Sequence, residues 1–397
     1  MRTEFAVIGG GITGLATAWA LARRGREVSV LEQAAVGHAG SGSHGACRVF
    51  RFGYEDAEYV NLVRHARELW AELETTCGER LLLPTPQLTI GPLMWQVRDA
   101  LLAAGAACEL LSVNEAAERF PGVRIAADPA PDGIADLADT DGTAGPGAEG
   151  GLASRVLLEP DSAVIAADRT LTALANAVRS AGQVVWSGVT VTALADDGRG
   201  VKVSTSARDV EASRVIVCAG PGSAGLLDTA GIAIPASATM EQVAYFAPAG
   251  TAQPTAMPIF VHYGGEFPYG LPVPGSNRYK VGLHHGGPAV DPGQLHHTED
   301  AGLTRRIEQA ARTFLPGLDP RAVAVERCVY DDSPDTDFIL DRIGNVVIGC
   351  GTSGHGFKFG PLLGEWLATL ATEGTGPRDR VGPAAEPPPR RFALSRF

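Results

Sequence analysis

The sequence predicts a mixed α/β and α+β architecture, in which a Rossmann-type nucleotide-binding domain is interleaved along the chain with a second domain built on an antiparallel sheet. Three observations predict it. Residues 4–32 read as strand, helix and strand around a glycine-rich turn. Between residues 242 and 284 short β-rich runs follow one another without the long helical crossovers that parallel strands require. Near the carboxyl end, a strand at 345–348 leads into a second glycine-rich turn and a helix. At 397 residues the chain is also too long for one simple core.

The amino-terminal unit begins with an apolar run at 5–8, followed by Gly9-Gly10-Gly11-Ile12-Thr13-Gly14 and an alanine-rich helical stretch through Arg24. Gly25 ends that helix, and a second strand at 28–31 closes on Glu32. GxGxxG is a weak motif alone; in the first turn of a βαβ unit it is informative. Gly9 permits the tight turn, Gly11 lets a pyrophosphate approach bare backbone, and Gly14 lets the helix lie near the strands. The helix start at Ile12 and Thr13 turns free N–H groups and partial positive charge toward the phosphates. Glu32, 18 positions after Gly14, is placed to accept hydrogen bonds from an adenosine ribose, and its acidity disfavours a 2′-phosphate. Strand, helix, second strand and terminal acid together favour nucleotide binding over a plain glycine turn. They leave NAD and FAD both open.

Residues 37–51 form a loop rich in Gly, Ser and His that cannot pack an apolar face. Its arginines, Arg48 and Arg51, stand three apart and share a face if the segment is helical. They form either a solvated basic turn or an anion-facing pair in a cleft. Residues 56–77 read as a long amphipathic helix with Val60, Val63, Trp70 and Leu73 as its core stripe. A strand is expected at 88–90, a helix at 93–104 and a short helix at 115–120, ended by Pro121-Gly122. From 126 to 151 the composition turns to Asp, Gly, Ala and Pro, expected as a mobile surface loop rather than a working lid.

Regular structure resumes at 164, with a helix over 169–181 and strands at 184–186, 189–194 and 201–204. The run 215–218 reads as a buried strand that returns to the nucleotide sheet and brings Ala219-Gly220 close to a ligand, with Cys218 as a small core hydrophobe. Strands are expected at 242–246, 259–262 and 279–284, with Tyr269-Gly270-Leu271-Pro272 before the last. Alternation in that strand puts Lys280, Gly282 and His284 on one face and Tyr279, Val281 and Leu283 on the other. The first of these faces looks either at water or at a cofactor. A helix over 303–314 precedes a strand at 322–330 that carries Cys328. The turn at 350–360, with Gly354-His355-Gly356-Phe357-Lys358, lies at the start of a helix over 361–372 and offers its donors to an anion. The Pro- and Arg-rich tail at 387–391 reads as irregular surface chain.

A net charge of −12 argues against nucleic acid or an anionic membrane as partner. No apolar run approaches the roughly 20 residues of a membrane helix. The first strand starts too near Met1 for a cleaved signal ahead of it. Six scattered cysteines form no CxxC pair or disulfide framework, and no metal site is read. A reducing cytoplasm is the expected compartment.

Five segments, the GGGITG unit with Glu32, the run Ser43 to Arg51, the pair from Tyr269 to His284, Cys328-Val329-Tyr330 and the 351–360 turn, resemble one known group. It is the amine-oxidising flavoproteins of the D-amino-acid oxidase superfamily, and within it the monomeric sarcosine oxidase family. The resemblance implies FAD held by the βαβ unit in two interleaved domains, with 1–55, 155–225 and 325–397 binding FAD and 56–154 and 226–324 forming the substrate domain. It places Gly9, Gly11, Ile12, Thr13, Gly14, Glu32, Ser43, His44, Arg48, Ala219, Gly220 and the run Gly354, His355, Gly356, Phe357 and Lys358 against the cofactor. Cys328 matches the cysteine that bonds covalently to the flavin 8α-methyl; alone it would read as a buried inert thiol. Lys280 matches the lysine that activates dioxygen and His284 an active-site histidine on the same face. Arg48 matches the arginine near the flavin, Arg51 with Lys358 the pair that clamps a substrate carboxylate, and Tyr269 and Tyr330 pocket tyrosines.

The implied activity is oxidation of a secondary amine bearing a carboxylate, an N-methyl or cyclic amino or imino acid, by a monomer. Hydride passes to flavin N5, and O2 accepts the electrons to give hydrogen peroxide beside the imine. A cation beside N5 suits developing superoxide, and an arginine fork with a lysine suits a carboxylate. Two departures bear on the substrate: the long 126–151 stretch, and Cys47 where a hydroxyl residue is familiar. The alternatives are a dehydrogenase with another acceptor, which Lys280 disfavours, and a flavin-binding subunit without chemistry, for which Arg51, Lys280 and Lys358 have no evident use.

Overall fold

The computed structural model describes residues 1–125, 155–250, 253, 256–295, 298–374 and 386–397, so the 126–151 stretch lies outside the described residues. The chain opens with β1 (Arg2–Ile8), α1 (Ile12–Arg23) and β2 (Val28–Glu32), the βαβ unit expected from the glycine turn. There follow β3 (Cys47–Phe50), α2 (Ala57–Cys77), β4 (Leu82–Pro84), β5 (Gln87–Ile90), α3 (Met94–Ala103), β6 (Glu109–Ser112) and α4 (Val113–Arg119). The middle of the chain holds β7 (Arg155–Glu159), β8 (Ala163–Ala166), α5 (Ala167–Ser180), β9 (Val184–Ser187), β10 (Val191–Asp196), β11 (Val201–Thr205), β12 (Val210–Val217) and α6 (Ser223–Asp228). It continues through β13 (Ser237–Pro248), β14 (Ile259–His262), β15 (Pro268–Pro272), β16 (Tyr279–Leu283) and α7 (Ala301–Phe314). The last elements are β17 (Leu318–Asp332), β18 (Ile339–Ile343), β19 (Val346–Cys350) and α8 (Gly360–Thr372).

In the first sheet β9, β2, β1, β12 and β19 run parallel, so the carboxyl ends of β1, β2, β12 and β19 meet at one edge, where α/β sheets bind ligands. β10, β11 and β18 add antiparallel strands around this centre. Burial on both faces explains why the ends of these strands, residues 5–8 of β1 and 215–217 of β12, read as unbroken apolar runs. Helix α1 is buried for most of its length and lies against α8. A Cβ on Gly364 would fall 2.5 Å from the backbone carbon of Ala16, and one on Gly360 2.4 Å from Ile12 Cγ1. Glycine at both positions therefore sets the approach of two helices whose starts face the same edge.

The second sheet has the order β17-β13-β16-β15-β14-β5-β7-β6 and is antiparallel as expected, except that β5 and β14 run parallel. Its outer face carries Phe246, Tyr279, Val281 and Leu283, packed with Ile307, Ala311 and Leu315 of the α7 region. Lys280 and His284 lie on the opposite face, as the alternation in β16 required. Strands β4, β6, β7 and β18 were not anticipated; none of them, LLP, ELLS, RVLLE or ILDRI, alternates apolar with polar residues. With β7 and β17 in the second sheet, residues 155–159 and 325–332 belong to it although sequence reading grouped them with the nucleotide domain.

The loop expected over 37–51 is corrected at its end: residues 47–50 form a strand paired antiparallel with β8, so the helical condition under which Arg48 and Arg51 would share a face is not met. The β-branched and aromatic pair Val49-Phe50 fits that pleated, half-buried position better than a helix. The tail at 387–391 lies exposed or half-exposed, as expected, but it is tied down where it ends. Phe392 is wholly buried against Phe338 and Trp366, and Arg391 bonds Asp56 and Glu58 at the start of α2 together with Asp337. Among the described residues no helix is long and apolar enough to cross a membrane, and no cluster could hold a metal ion.

Candidate active site

A cavity of about 350 Å³ lies between the two sheets. It is lined by Gly9, Gly11, Ile12, Thr13, Glu32, Ser43, Arg48, Arg51, Ala219 and Gly220, and by Tyr269, Lys280, His284, Cys328, Tyr330, Gly354, His355, Gly356, Phe357 and Lys358. Of the residues singled out from the sequence, Gly14 and His44 do not line it. A Cβ on Gly14 would fall 2.0 Å from Gly9 O, so Gly14 backs the turn rather than faces the ligand. His44 places its Nδ1 on the Ser41 carbonyl oxygen and ties the loop together.

The nucleotide end fits an adenine dinucleotide. Gly9 has φ +105° and a Cβ there would meet the Cys218 carbonyl oxygen at 2.2 Å, while one on Gly11 would meet Ser43 Oγ at 3.0 Å. Only bare backbone is admitted at the turn. Glu32 Oε2 accepts from Gly10 N at 2.6 Å and Oε1 from Ala34 N at 3.0 Å, which fixes the carboxylate at the end of β2 beside the cavity.

Four cations mark the other end. Arg48 donates only to backbone, to the carbonyls of Cys47 (3.0 Å), Gly42 (3.0 Å) and His44 (2.6 Å), and its guanidinium lies 5.5 Å from the Phe357 ring centre. Lys280, 4% exposed, donates to Cys47 O at 3.2 Å. Arg51 donates to the Tyr263 hydroxyl, which itself donates to Gly53 O at 2.7 Å. Lys358, 5% exposed, donates to the Tyr54 hydroxyl at 2.8 Å and to His355 O at 3.0 Å. Among the described residues none of the four is bonded to a carboxylate. Burial first, and then the neighbouring arginine, lowers the proton affinity of both lysines: Arg48 acts on Lys280 and Arg51 on Lys358. The carboxylates nearest in effect, Glu159 for Arg51 and Glu326 for Lys280, act through space without bonding them; buried charges so loosely paired are costly, and an anion entering the cavity would offset that cost.

The two histidines stay neutral. His355 is held down to about 3 by burial and by Lys358. Its Nε2 faces Thr336 O at 3.0 Å and so carries the proton, leaving Nδ1 to accept from the Tyr54 hydroxyl at 3.0 Å. His284 is pushed well below the usual range by burial and by His285. Burial raises the Cys328 thiol pKa, against the pull of Arg48 and Lys280.

Tyr54, Tyr263, Phe267 and Asp331 were missed. Tyr54 and Tyr263 carry no local signal of holding Lys358 and Arg51 until the chain is folded. Asp331 follows Tyr330 directly and lines the cavity; its Oδ1 accepts from Thr352 Oγ1 at 2.5 Å, while Oδ2 is buried without a partner. Burial raises its pKa to about 6. Phe267 has φ +50°, a left-handed conformation that costs a non-glycine residue about 1–2 kcal/mol.

A glycine cradle at the carboxyl ends of parallel strands, facing a second sheet across a cavity rich in cations, makes this an adenine-dinucleotide oxidoreductase of two-sheet design. Which dinucleotide it takes follows from comparison with known proteins. The family described as FAD dependent oxidoreductase matches residues 4–370, and the chain belongs to that family. Peroxisomal sarcosine oxidase of Homo sapiens is 32% identical over 98% of this chain and 95% of its own length. N-methyl-L-tryptophan oxidase of Yersinia pestis is 28% identical over the full length of both chains. The solved structure of NikD, described as an unusual amino acid oxidase essential for nikkomycin biosynthesis, superposes with a TM-score of 0.78 at 25% identity. That match covers 97% of this chain and 99% of the NikD chain. The choice left open by the glycine turn is thereby settled for FAD, and the resemblance to sarcosine oxidases is borne out.

Proposed function

We propose that this protein is an FAD-dependent oxidase of a secondary amine carrying a carboxylate, an N-methyl or cyclic amino or imino acid, and that it forms an imine and hydrogen peroxide. The observation that carries the reading is the set of four cations around one cavity with no carboxylate bonded to them among the described residues. The names of the sarcosine and N-methyltryptophan oxidase relatives support the class. When bound, FAD supplies a two-electron acceptor for the C–N bond and passes the pair to O2. The turn from Gly9 to Gly14, Glu32, Ser43, Arg48, Ala219-Gly220 and the 354–358 turn would hold it.

Arg51 and Lys358 hold the substrate carboxylate, a fork beside a point charge, and so fix the amine at reacting distance. The amine gives up hydride as the neutral base, so turnover rises with pH as the bound amine loses its proton. Lys280 places positive charge where oxygen is reduced. His284, kept neutral by burial, adds no second charge on that face. Tyr269 and Tyr330 wall the pocket. Cys328 lines the same cavity between the pull of Arg48 and that of Lys280, and is the residue that would carry a covalent link to the flavin. The bacterial relatives named monomeric sarcosine oxidase support a monomer.

The test is a screen of N-methyl and cyclic amino acids for peroxide release, paired with flavin bleaching under anaerobic conditions. No bleaching by any carboxylated secondary amine would reject the reading. Bleaching followed by slow return of colour in air would favour a dehydrogenase. Acid-denatured protein should keep its yellow colour; flavin in the supernatant would reject the Cys328 link.

A further inference from the structure

We propose that Phe267 sets the size of the substrate, restricting it to secondary amino acids whose α-carbon bears no large side chain: N-alkylglycines and small cyclic imino acids. This rests on the amine-oxidase reading above and narrows it. Phe267 closes the turn between β14 and β15, where Gly264 and Gly265 have φ +154° and +54° and Phe267 itself +50°. The left-handed position at the end of such a turn is ordinarily glycine, and a bulky residue kept there points to a use for its side chain. Its backbone is pinned from both sides. The amide donates to Gly264 O at 3.0 Å, and the carbonyl accepts from His284 N at 3.1 Å.

The ring so held lines the cavity. It stands edge-on to Tyr263, with centres 4.7 Å apart, and tilted against His284 at 5.2 Å. Tyr263 is the residue that receives Arg51. The α-carbon is bonded directly to the carboxylate carbon, so a carboxylate held by Arg51 sets a side chain on that carbon at the Arg51 end of the cavity, which the Phe267 ring lines. An N-methyl group, or a small ring that closes back on nitrogen, adds little bulk there. Glycine at 267 would relieve the backbone and open the space together.

The experiment compares kcat/KM for N-methyl-L-phenylalanine with that for N-methylglycine in the holoenzyme and in Phe267→Gly, Phe267→Ala and Phe267→Tyr. Phe267→Gly and Phe267→Ala should raise the ratio about tenfold or more, the scale on which apolar pockets discriminate, while Phe267→Tyr keeps it. Flavin content should stay near that of the parent protein. Bleaching by N-methylglycine with an unchanged or falling ratio in both small variants overturns the proposal alone. No bleaching by either amine or by any cyclic amino acid, in the parent protein or any variant, overturns the amine-oxidase reading, and the proposal with it.

Discussion

Lys358 gives its hydrogen bonds to a phenol and a carbonyl, and this sets what its removal should do. In Lys358→Met the Tyr54 hydroxyl still has His355 Nδ1 to donate to, and a buried cation without a counter-ion is gone. Thermal unfolding should be unchanged or raised, while KM for a carboxylated amine rises about 10- to 100-fold, the worth of one charged hydrogen bond. A fall in both stability and affinity would make Lys358 a structural residue. Lys280 sits in β16 of the second sheet, and among the described residues its ammonium donates to Cys47 O alone. Lys280→Met should slow reoxidation by O2 by orders of magnitude in stopped flow and leave flavin reduction less affected; equal slowing would remove that role. Asp331 carries a pH signature. Its pKa rises from 3.8 to about 6 on folding, so the folded protein holds a proton that the unfolded chain has released across that window. The resulting stability is complete below about pH 4 and is lost as pH climbs through 6. In flavin-free protein, Asp331→Asn should therefore gain up to about 3 kcal/mol at pH 8 and nothing near pH 3.5. Equal shifts in melting temperature at the two pH values would contradict this.

At the scale of elements, the two glycine turns depend on how closely α1 and α8 approach. Gly364→Ala adds helix propensity, yet its Cβ would lie 2.5 Å from the backbone of Ala16. Overpacking should win, costing about 1–3 kcal/mol and lowering flavin content as the turns separate. Gly225 in α6 has nothing within 4 Å of its would-be Cβ, so Gly225→Ala should stabilise by about 0.5–1 kcal/mol. Thermal melts of the pair separate crowding from propensity. The sequence made the first helix and its turn legible because glycine spacing, an alanine-rich stretch and a terminal acid all agree over 29 residues, from Glu4 to Glu32. It made the active face of β16 legible because a period of two needs only five residues, Tyr279–Leu283, to separate Lys280 from Tyr279. β3 was misread because Gly, Ser and His ahead of it mask a four-residue strand that exists by pairing with β8. Tyr54, Tyr263 and Phe267 had no legible role, since each acts through a partner distant in sequence or through a backbone angle.

On the scale of the whole molecule, the end of the cavity proposed to hold the carboxylate is assembled from segments that only folding unites: Tyr54 and Lys358, 304 positions apart, meet at 2.8 Å. Beneath them lies an aromatic block that ends in the tail. Tyr54 stacks on Tyr59 with ring centres 4.9 Å apart, Tyr59 donates to Asp337 at 2.7 Å, and Asp337 accepts from Arg391 at 2.9 Å. Phe392 fills the space against Phe338 and Trp366. The half-exposed ion pairs of Arg391 contribute little each, on the order of 0–1 kcal/mol, so the buried ring holds the tail. Phe392→Ala should cost about 3–5 kcal/mol of stability, and removal of residues 386–397 at least as much. The loss should reach the active site selectively. Loosening Tyr59 frees Tyr54 and with it Lys358, so KM for the amino acid should rise several-fold, while reoxidation by O2, the step we assign to Lys280 in β16, should keep its rate. Steady-state and stopped-flow measurements on the truncated protein decide between this and a passive tail, for which neither melting temperature nor KM would move.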